Sequence, residues 1–480
     1  MKNGLFGMFI TGKTEGAKLA RLLFVSMLYL SFLFPPLPPG LSEEARRALV
    51  VFGYSATLWI FNVINPSLVA MLSMISLPAL GIISYSEALV GFSNTTVWLL
   101  VGVLLISAAI QKSNLDKRIA LSILRIAGGN ARFTLFGIVL MTLILVIILP
   151  TSIGRAAVVT PICLGLVRAL KLKPGSNFGK GIFLAFSFTS VIASIAVITG
   201  AIVTIYAADI FSQLFNVHWS YLRWMQVMLP VALCSSLIVW LSIIVVFPPE
   251  FKTVPGGIAY IRDSINELGR CKADEVKMML YLVALITLWV TEPLTGLSLS
   301  YSCLIIALLL ALPKIGVIEW KSAIASISWS TVLMLGSILS IALAITNTGA
   351  IVWVADFVFS KIAVSNYHIY VFALAIFTIL MRLGFPNNFT IVAIILPVAF
   401  SIANTLGINP TWLGMLIVCM STLGVFLPSQ AVTHLTTYSS GYYQIADMRK
   451  SGLVVGIGCF TLYFVFAYVY WPLVGLSPLL

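Results

Sequence analysis

Long runs of apolar residues, separated by short charged segments, constrain this chain more than any other feature of its sequence. Hydrophobic residues make up 60% of the chain and charged residues only 9%, whereas a soluble domain has about a quarter of its residues charged. Lipid must therefore be the solvent for most of the protein surface. The runs are continuous rather than alternating, which indicates membrane-spanning helices and not a β-barrel.

The sequence predicts an all-α polytopic membrane protein with about eleven transmembrane helices and two re-entrant helical hairpins. The predicted spans cover residues 20–37, 46–62, 66–82, 95–111, 181–208, 221–247, 277–292, 297–312, 329–346, 410–438 and 451–474. The predicted hairpins, 133–167 and 367–405, are each interrupted near the middle by a polar segment that contains proline. Such interruptions are tolerated at membrane depth only where protein buries them or they line a cavity, so they are candidate site segments.

The basic residues predict the orientation of the chain. Of the 28 Lys and Arg, two lie in the hairpins, 22 lie in segments that are cytoplasmic if the N-terminus is cytoplasmic, and four lie outside: Arg46, Arg47, Arg223 and Lys361. This bias follows the positive-inside rule and explains the net charge of +13 without nucleic acid. We expect a multi-pass protein of the plasma or inner membrane with its C-terminus outside. The first apolar run is followed by PPLPPG, which predicts an uncleaved first helix.

An internal repeat divides the chain. TVWLLVGVLLISAAI (96–110) aligns with TVLMLGSILSIALAI (331–345), and LPTSIGRAAVVTP (149–161) aligns with FPNNFTIVAIILP (385–397), proline on proline. An odd number of spans separates the copies, so they insert in opposite orientations, which is the architecture of many secondary transporters. Chance similarity between apolar segments is the alternative. The predicted domains are an N-terminal segment with the first helix (1–45), a first repeat (46–247), a cytoplasmic linker (248–276) and a second repeat (277–480).

Four polar interruptions are candidate sites: the hairpin tips at 150–155 and 386–390, and the segments 194–204 and 427–441. Helix N-termini suit carboxylate or sulfate oxygens, and unwound carbonyls with hydroxyl oxygens suit sodium. The predicted substrate-binding residues are Thr151, Ser152, Arg155, Asn387, Asn388, Thr390, Thr433 and His434. The predicted ion-binding residues are Thr151, Ser152, Gly200, Asn387, Asn388 and Ser429, with no metal other than sodium. The alternative for each segment is a kink packed against its neighbours.

The charged residues at membrane depth favour an anionic ligand. Arg155 and Arg382 lie in the hairpins, while no Asp or Glu lies at the centre of a predicted span. A buried arginine without an acidic partner suggests that the partner is a ligand anion; snorkelling is the alternative. Cation antiporters usually need intramembrane carboxylates, and membrane enzymes usually need metal-binding acids or histidine pairs. The three histidines and six scattered cysteines offer neither a metal site nor a disulfide framework.

Two segments resemble the divalent anion–sodium symporter family, which includes carriers of dicarboxylates, citrate and sulfate. Residues 65–120 resemble the first repeat of that family from its third helix onward, and residues 427–458 resemble its C-terminal signature. The family carries a Ser-Asn-Thr motif at both hairpin tips. Here the corresponding residues are Thr151-Ser152-Ile153 and Asn387-Asn388-Phe389, with an apolar third position in each. Thr204 and His434 stand where the asparagines of the family's broken helices align, and Ala201 and Ala431 where its threonines align.

The resemblance implies a homodimeric secondary carrier of di- or tricarboxylates or sulfate that works by an elevator mechanism. The hairpins with spans 181–208 and 410–438 would form the moving domain, and segments 114–126 and 350–362 would be short linking helices. It also implies sodium as the coupling ion and no other cofactor. Sodium-independent anion exchange remains the alternative, followed by a cation or proton antiporter and a membrane-embedded enzyme.

Overall fold

A computed structural model describes residues 15–60, 63–149, 151–350, 353–354, 366–384 and 388–479. Within these ranges the regular elements are helices, and β-structure is limited to two isolated bridges. Eight of the described helices are long and apolar enough to cross a membrane, and six shorter apolar helices accompany them. The predicted all-α polytopic class is therefore confirmed.

The first compact unit comprises the described residues of Met1–Val97, Ser328–Tyr370 and Ala393–Gly407. Its helices are Glu15–Ser31, Glu43–Ile60, Pro66–Ala79, Tyr85–Ala88, Val90–Ser93 and Trp329–Asn347. Buried side chains from three of them, including Val51, Leu77 and Ile341, form a common apolar core. Gly91 packs directly on Trp329–Asn347: its N–H donates to the Ser340 hydroxyl at 3.1 Å.

The second compact unit comprises the described residues of Trp98–Ile327, Val371–Val392 and Ile408–Leu480. Its helices are Thr95–Ser113, Leu115–Ile126, Ala131–Ile148, Ser152–Ala169, Asn177–Ile192, Ile202–Phe215, Tyr221–Val246, Pro255–Leu268, Ala273–Val290, Glu292–Thr295, Leu299–Leu309, Trp320–Ala325, Tyr367–Gly384, Asn388–Leu406, Pro410–Ser421, Val432–Tyr438, Ile445–Val465 and Trp471–Leu473. A π-helical turn, Phe466–Tyr470, joins the last two. Two of the helices, Thr95–Ser113 and Tyr367–Gly384, begin in the ranges of the first unit, and one, Asn388–Leu406, ends there. This unit contains the candidate site.

Asparagine followed by proline starts two of the helices. Asn65 and Asn409 each accept hydrogen bonds from backbone N–H groups of the following first turn, and Pro66 and Pro410 occupy the first helical position. The asparagine oxygen satisfies N–H groups that have no partner within the helix, and proline has no N–H to satisfy. These Asn-Pro pairs therefore fix where two apolar runs become helices.

The outer ends of the predicted spans lie within seven residues of the helix ends, and the spans 181–208 and 410–438 are each broken into two helices. Each predicted hairpin is a pair of consecutive helices, Ala131–Ile148 with Ser152–Ala169 and Tyr367–Gly384 with Asn388–Leu406. Helix Leu115–Ile126 matches the linking helix predicted over 114–126. Pro150, Pro386, Asn387 and most of the segment predicted over 350–362 lie outside the described residues. The domain limits, the inverted order of the repeats and the sidedness of the termini stay predictions.

The close approach at Gly91 generates a stability prediction. A Cβ at this position would overlap the Gly336 carbonyl oxygen, so Gly91→Ala should lower stability by about 1–3 kcal/mol through overpacking. Thermal unfolding of the purified protein in detergent measures the change. Gly16→Ala is the matched control, because a Cβ at Gly16 meets no atom within 4 Å. Equal melting temperatures for the two variants would contradict the predicted contact.

Candidate functional site

Two membrane helices of the second unit are broken in the same way. The first stops at Ile192, passes through the 3₁₀ turns Ala193–Ile195 and Ile198–Gly200, and resumes as Ile202–Phe215. The second stops at Ser421, passes through the 3₁₀ turn Pro428–Gln430, and resumes as Val432–Tyr438. The second break therefore begins earlier than the predicted segment 427–441, and Thr433 and His434 lie on the helix that follows it.

The backbone angles confirm that the two breaks correspond residue by residue. Val197 and Leu427, which precede the 3₁₀ turns, have φ of −135° and −134°. Ala201 and Ala431, which follow the turns, have φ of −159° and −154°. Segments 197–201 and 427–431 thus match in backbone conformation, and in the same register Thr204 corresponds to His434, which agrees with the family resemblance. Gly200 and Gln430 are equivalent positions.

Arg155 joins the first hairpin tip to the first break. Its guanidinium is fully buried. Nη1 donates to the carbonyls of Leu149 at 2.6 Å and Gly200 at 3.2 Å. Nη2 donates to the Ser152 hydroxyl at 3.2 Å and the Ser190 carbonyl at 3.0 Å, and Nε donates to the Ser190 hydroxyl at 3.0 Å. The tip, the end of helix Asn177–Ile192 and the break therefore meet at one side chain.

These bonds use the whole donor capacity of Arg155. A guanidinium has five N–H groups, and each of the five has an oxygen partner here. Among the described residues, no carboxylate lies within ion-pair distance of Arg155. The side chain is satisfied as a hydrogen-bond donor, while its positive charge has no acidic partner. Arg155 therefore contributes a fixed positive charge to the core.

Arg382 joins the second hairpin to the second break. Its Nη2 donates to the Gln430 carbonyl at 2.6 Å, and the Gln430 side chain donates back to the Arg382 carbonyl at 2.7 Å. The same glutamine accepts the N–H groups of Phe426 and Leu427, both at 2.8 Å. Gly424 packs against the guanidinium so closely that a Cβ there would overlap it. Gln430 and Gly424 thus shape the second break around Arg382.

His434 links the two broken helices. Its Nε2 lies 2.8 Å from the Gly424 carbonyl, which only accepts, so the neutral ring carries its proton on Nε2. Nδ1 then accepts from the hydroxyl of Ser187, on the first broken helix. Thr437 donates to the same hydroxyl at 3.2 Å and pairs with the Tyr443 hydroxyl at 2.9 Å. Both nitrogens of His434 therefore have protein partners.

Several buried hydroxyls near the breaks, among them those of Thr433 and Tyr206, have no hydrogen-bond partner among the described residues. Thr433 lies in the first turn after the second break, and Tyr206 lies in the second turn after the first break. Both side chains are fully buried, and their oxygens accept and donate no hydrogen bond. The Tyr206 ring packs edge to face on Phe389, at 5.3 Å between centroids, beside the second hairpin tip. A buried unpaired hydroxyl is costly, which makes both oxygens available contacts for a ligand.

The remaining predicted residues are distributed over the tips and breaks. Thr151 is the N-cap of helix Ser152–Ala169 and accepts from the Gly154 N–H at 3.0 Å. Asn388 begins the second helix of the second hairpin and is half-buried, Thr390 is buried, and Ser429 is exposed. Asn387 lies outside the described residues.

Several residues of the site, among them Ser190, Tyr206 and Gly424, are not predicted from the sequence. Ser190 ends the hydroxyl-rich segment SFTS (187–190), which lies in a helix that is buried along nearly its whole length. Hydroxyls clustered in an otherwise apolar, fully buried helix are a usable signal. Gly424 has no such signal, because only the packed guanidinium shows why a side chain is excluded.

The fold and the paired breaks define the class of protein. An all-α membrane fold with two helix pairs and two similarly broken helices is typical of secondary transporters. The family described as "Sodium:sulfate symporter transmembrane region" matches residues 16–477. The chain belongs to this family, and the resemblance to divalent anion–sodium symporters is confirmed.

Individual relatives cover nearly the whole chain. A protein of Cupriavidus necator named "Membrane protein" is 26% identical over 462 residues, which are 92% of this chain and 90% of the relative. The sodium-dependent dicarboxylate transporter SdcS of Staphylococcus saprophyticus is 23% identical, over 95% of this chain and 93% of the relative. The solved structure of Neisseria gonorrhoeae MtrF, described as an antimetabolite efflux pump, matches with a TM-score of 0.55 and 12% identity over 95% and 96% of the two chains. That last similarity shows the fold alone.

The bonding of Arg155 generates a prediction at Ser190. Ser190→Ala removes the hydroxyl that accepts from Nε and leaves a buried charged donor without a partner, so it should lower stability by about 1–3 kcal/mol. Ser429→Ala is the control, because Ser429 is exposed and belongs to the other break. Thermal unfolding in detergent distinguishes the two. The proposed contribution of the Arg155–Ser190 hydrogen bond is wrong if Ser190→Ala has the same melting temperature as the control.

Proposed function

We propose that the protein carries small dianions or trianions, namely di- or tricarboxylates or sulfate, as a homodimeric elevator-type carrier of the plasma membrane and not as an enzyme. The observation that carries this proposal is the fully buried charge of Arg155, beside a hairpin tip and without a carboxylate partner among the described residues. The five bonded oxygens satisfy the N–H groups of Arg155, but they are neutral and leave the net charge uncompensated in the interior. An anionic substrate supplies the counter-charge.

The helix that begins at the first tip adds to this charge. Ser152–Ala169 starts at the tip, and its N-terminus carries a partial positive charge of about half an elementary charge. Arg155 lies in its first turn, so the guanidinium and the helix terminus raise the potential at the same place. In surroundings of low dielectric, this arrangement favours carboxylate or sulfate oxygens.

Arg155 acts in this proposal through its charge and not through a direct bond. All five of its N–H groups are used within the protein, so a substrate contact would require one of them to break. The direct donors are instead the N–H groups at the tips and the unpartnered hydroxyls of Thr433 and Tyr206. Asn387 and Asn388 of the second tip complete the proposed set of contacts.

The elevator proposal rests on the family and on the grouping of most site elements in one unit, while residues 393–407 of the second hairpin belong to the other unit. The first hairpin, both broken helices and residues 371–392 of the second hairpin belong to one compact unit. A binding site built within one unit can move as a body with its substrate. The dimer and the elevator motion are implied by the family, and the name of the staphylococcal relatives supports a dicarboxylate as the substrate.

A ligand screen tests the substrate class. The purified protein is heated with succinate, citrate, sulfate or phosphate. A ligand that binds only the folded state raises the free energy of unfolding by about 2.7 kcal/mol at a hundredfold excess over Kd, and the melting temperature rises with it. We expect stabilisation by at least one dianion and none by the monocarboxylate acetate. Uptake of the stabilising anion into proteoliposomes confirms transport. Conversion of the anion to a product without accumulation would favour an enzyme.

A single hydroxyl tests the proposed contacts. Tyr206→Phe should raise the KM for the transported dianion about tenfold, because a hydrogen bond to a charged group is worth about 1.5–3 kcal/mol. The melting temperature of the unliganded variant should not fall, because this hydroxyl has no hydrogen-bond partner among the described residues. Tyr301→Phe, at an exposed position of the same unit, is the control. An unchanged KM in Tyr206→Phe removes this residue from the site.

A further inference from the structure

We propose that Arg155 and Arg382 are fixed internal cations that occupy the carbonyl oxygens of the two breaks in place of a coupling cation, so that the carrier moves its anion without sodium. This inference rests on the proposed function, because coupling has a meaning only if the chain carries an anion. The structural basis is the set of oxygens around each guanidinium.

The oxygens around Arg155 form a cage of the kind that binds a cation. Five oxygen atoms face the guanidinium: the Leu149, Ser190 and Gly200 carbonyls and the Ser152 and Ser190 hydroxyls. They come from the hairpin tip, the end of a helix and the break. Unwound carbonyls and half-helix ends are the groups that coordinate sodium in transporters with broken helices. In this chain their charge partner is a covalently attached guanidinium.

The second break shows the same arrangement with other residues. The Gln430 carbonyl accepts from Arg382, and the Gly424 carbonyl accepts from His434. Gly424 has no side chain, which leaves the space that the Arg382 guanidinium fills. Gln430 uses its own amide to hold Arg382 and the N–H groups of the break. Two carbonyls of this break, those of Gly424 and Gln430, are therefore also bonded to protein donors.

The equivalence of the two breaks makes packing alone an insufficient explanation. Gly200 and Gln430 are equivalent positions, and each carbonyl accepts from a buried guanidinium. The two arginines are not equivalent: Arg155 follows its tip, whereas Arg382 precedes its tip, and the repeat alignment pairs Arg155 with Ile391. Neutral side chains fill space without the cost of burying charge. Each break thus has a positive charge at the equivalent carbonyl, supplied from a different position of the chain. This indicates that each break requires a cation.

The hairpin tips agree with this inference. The family resemblance places a polar residue at the third position of each tip, where this chain has Ile153 and Phe389. Ile153 is exposed, and Phe389 is buried against the Tyr206 ring. Neither side chain offers an oxygen. The tips of this chain thus have fewer side-chain oxygens that could bind a cation than the family motif has. Each break has an internal cation instead.

Counterflow in two media tests the inference on the wild-type protein. Proteoliposomes loaded with unlabelled succinate, or with the anion that most stabilises the protein, take up the labelled anion in sodium chloride or in choline chloride. We expect initial rates that agree within twofold. A tenfold or greater loss in choline overturns this inference and leaves the proposed function standing. No counterflow in either medium, with no anion raising the melting temperature, overturns the proposed function and the inference with it.

An emptied cage provides an independent test. Arg155→Ser removes the guanidinium and leaves its oxygens, so sodium in place of choline should raise the melting temperature of this variant and not that of the wild type. Arg132→Ser, at an exposed arginine in the first turn of Ala131–Ile148, is the matched control and should not respond to sodium. Sodium stabilisation of the wild type equal to that of the variant contradicts the inference. If Arg155→Ser does not fold, the counterflow experiment decides alone.

Discussion

The bonding of one buried guanidinium to five protein oxygens is the interaction on which the candidate site depends. Arg155 holds the first hairpin tip, the end of helix Asn177–Ile192 and the break at Gly200 in one geometry. Without it, these oxygens would face a low-dielectric interior with no donor, and each would cost about 1–3 kcal/mol. With Arg155 in place, the irregular backbone between Ile192 and Ile202 is stabilised in the protein interior. The irregular segments that make a binding site possible are therefore stabilised by a charge.

The two broken helices reach the same local structure with different side chains. The first break is held by Arg155 and Ser190, and the second is held by Arg382 and Gln430, while His434 joins the two helices through Ser187. The φ angles that flank the two 3₁₀ turns agree to within about five degrees, although the residues that hold the breaks differ. In each break one backbone carbonyl, that of Gly200 or Gln430, accepts a hydrogen bond from a guanidinium.

The helices and the breaks are predictable from the sequence because their signals are local. Apolar runs of membrane length, Asn-Pro helix starts and prolines at equal spacing need no knowledge of the fold. The partners of Arg155 are not local. Ser190 and Gly200 are distant in sequence, and the absence of acidic residues suggests a ligand anion where the structure shows protein oxygens as the bonded partners. Gly424 is unpredictable for the same reason, since its small size matters only against Arg382.

The guanidinium that bonds the Gly200 carbonyl is covalently part of Arg155, and this has a consequence for the energetics of the empty carrier. A dissociable ion leaves with its substrate, whereas an arginine charge stays with the unit that contains it. Moving that charge through the electric field of the membrane costs or yields about 2.3 kcal/mol per elementary charge for each 100 mV. A bound dianion would cancel the charges of Arg155 and Arg382 together, whereas an empty site would keep both of them. The proposed carrier would therefore cross most readily when loaded in both directions, which favours the exchange of one anion for another over net accumulation.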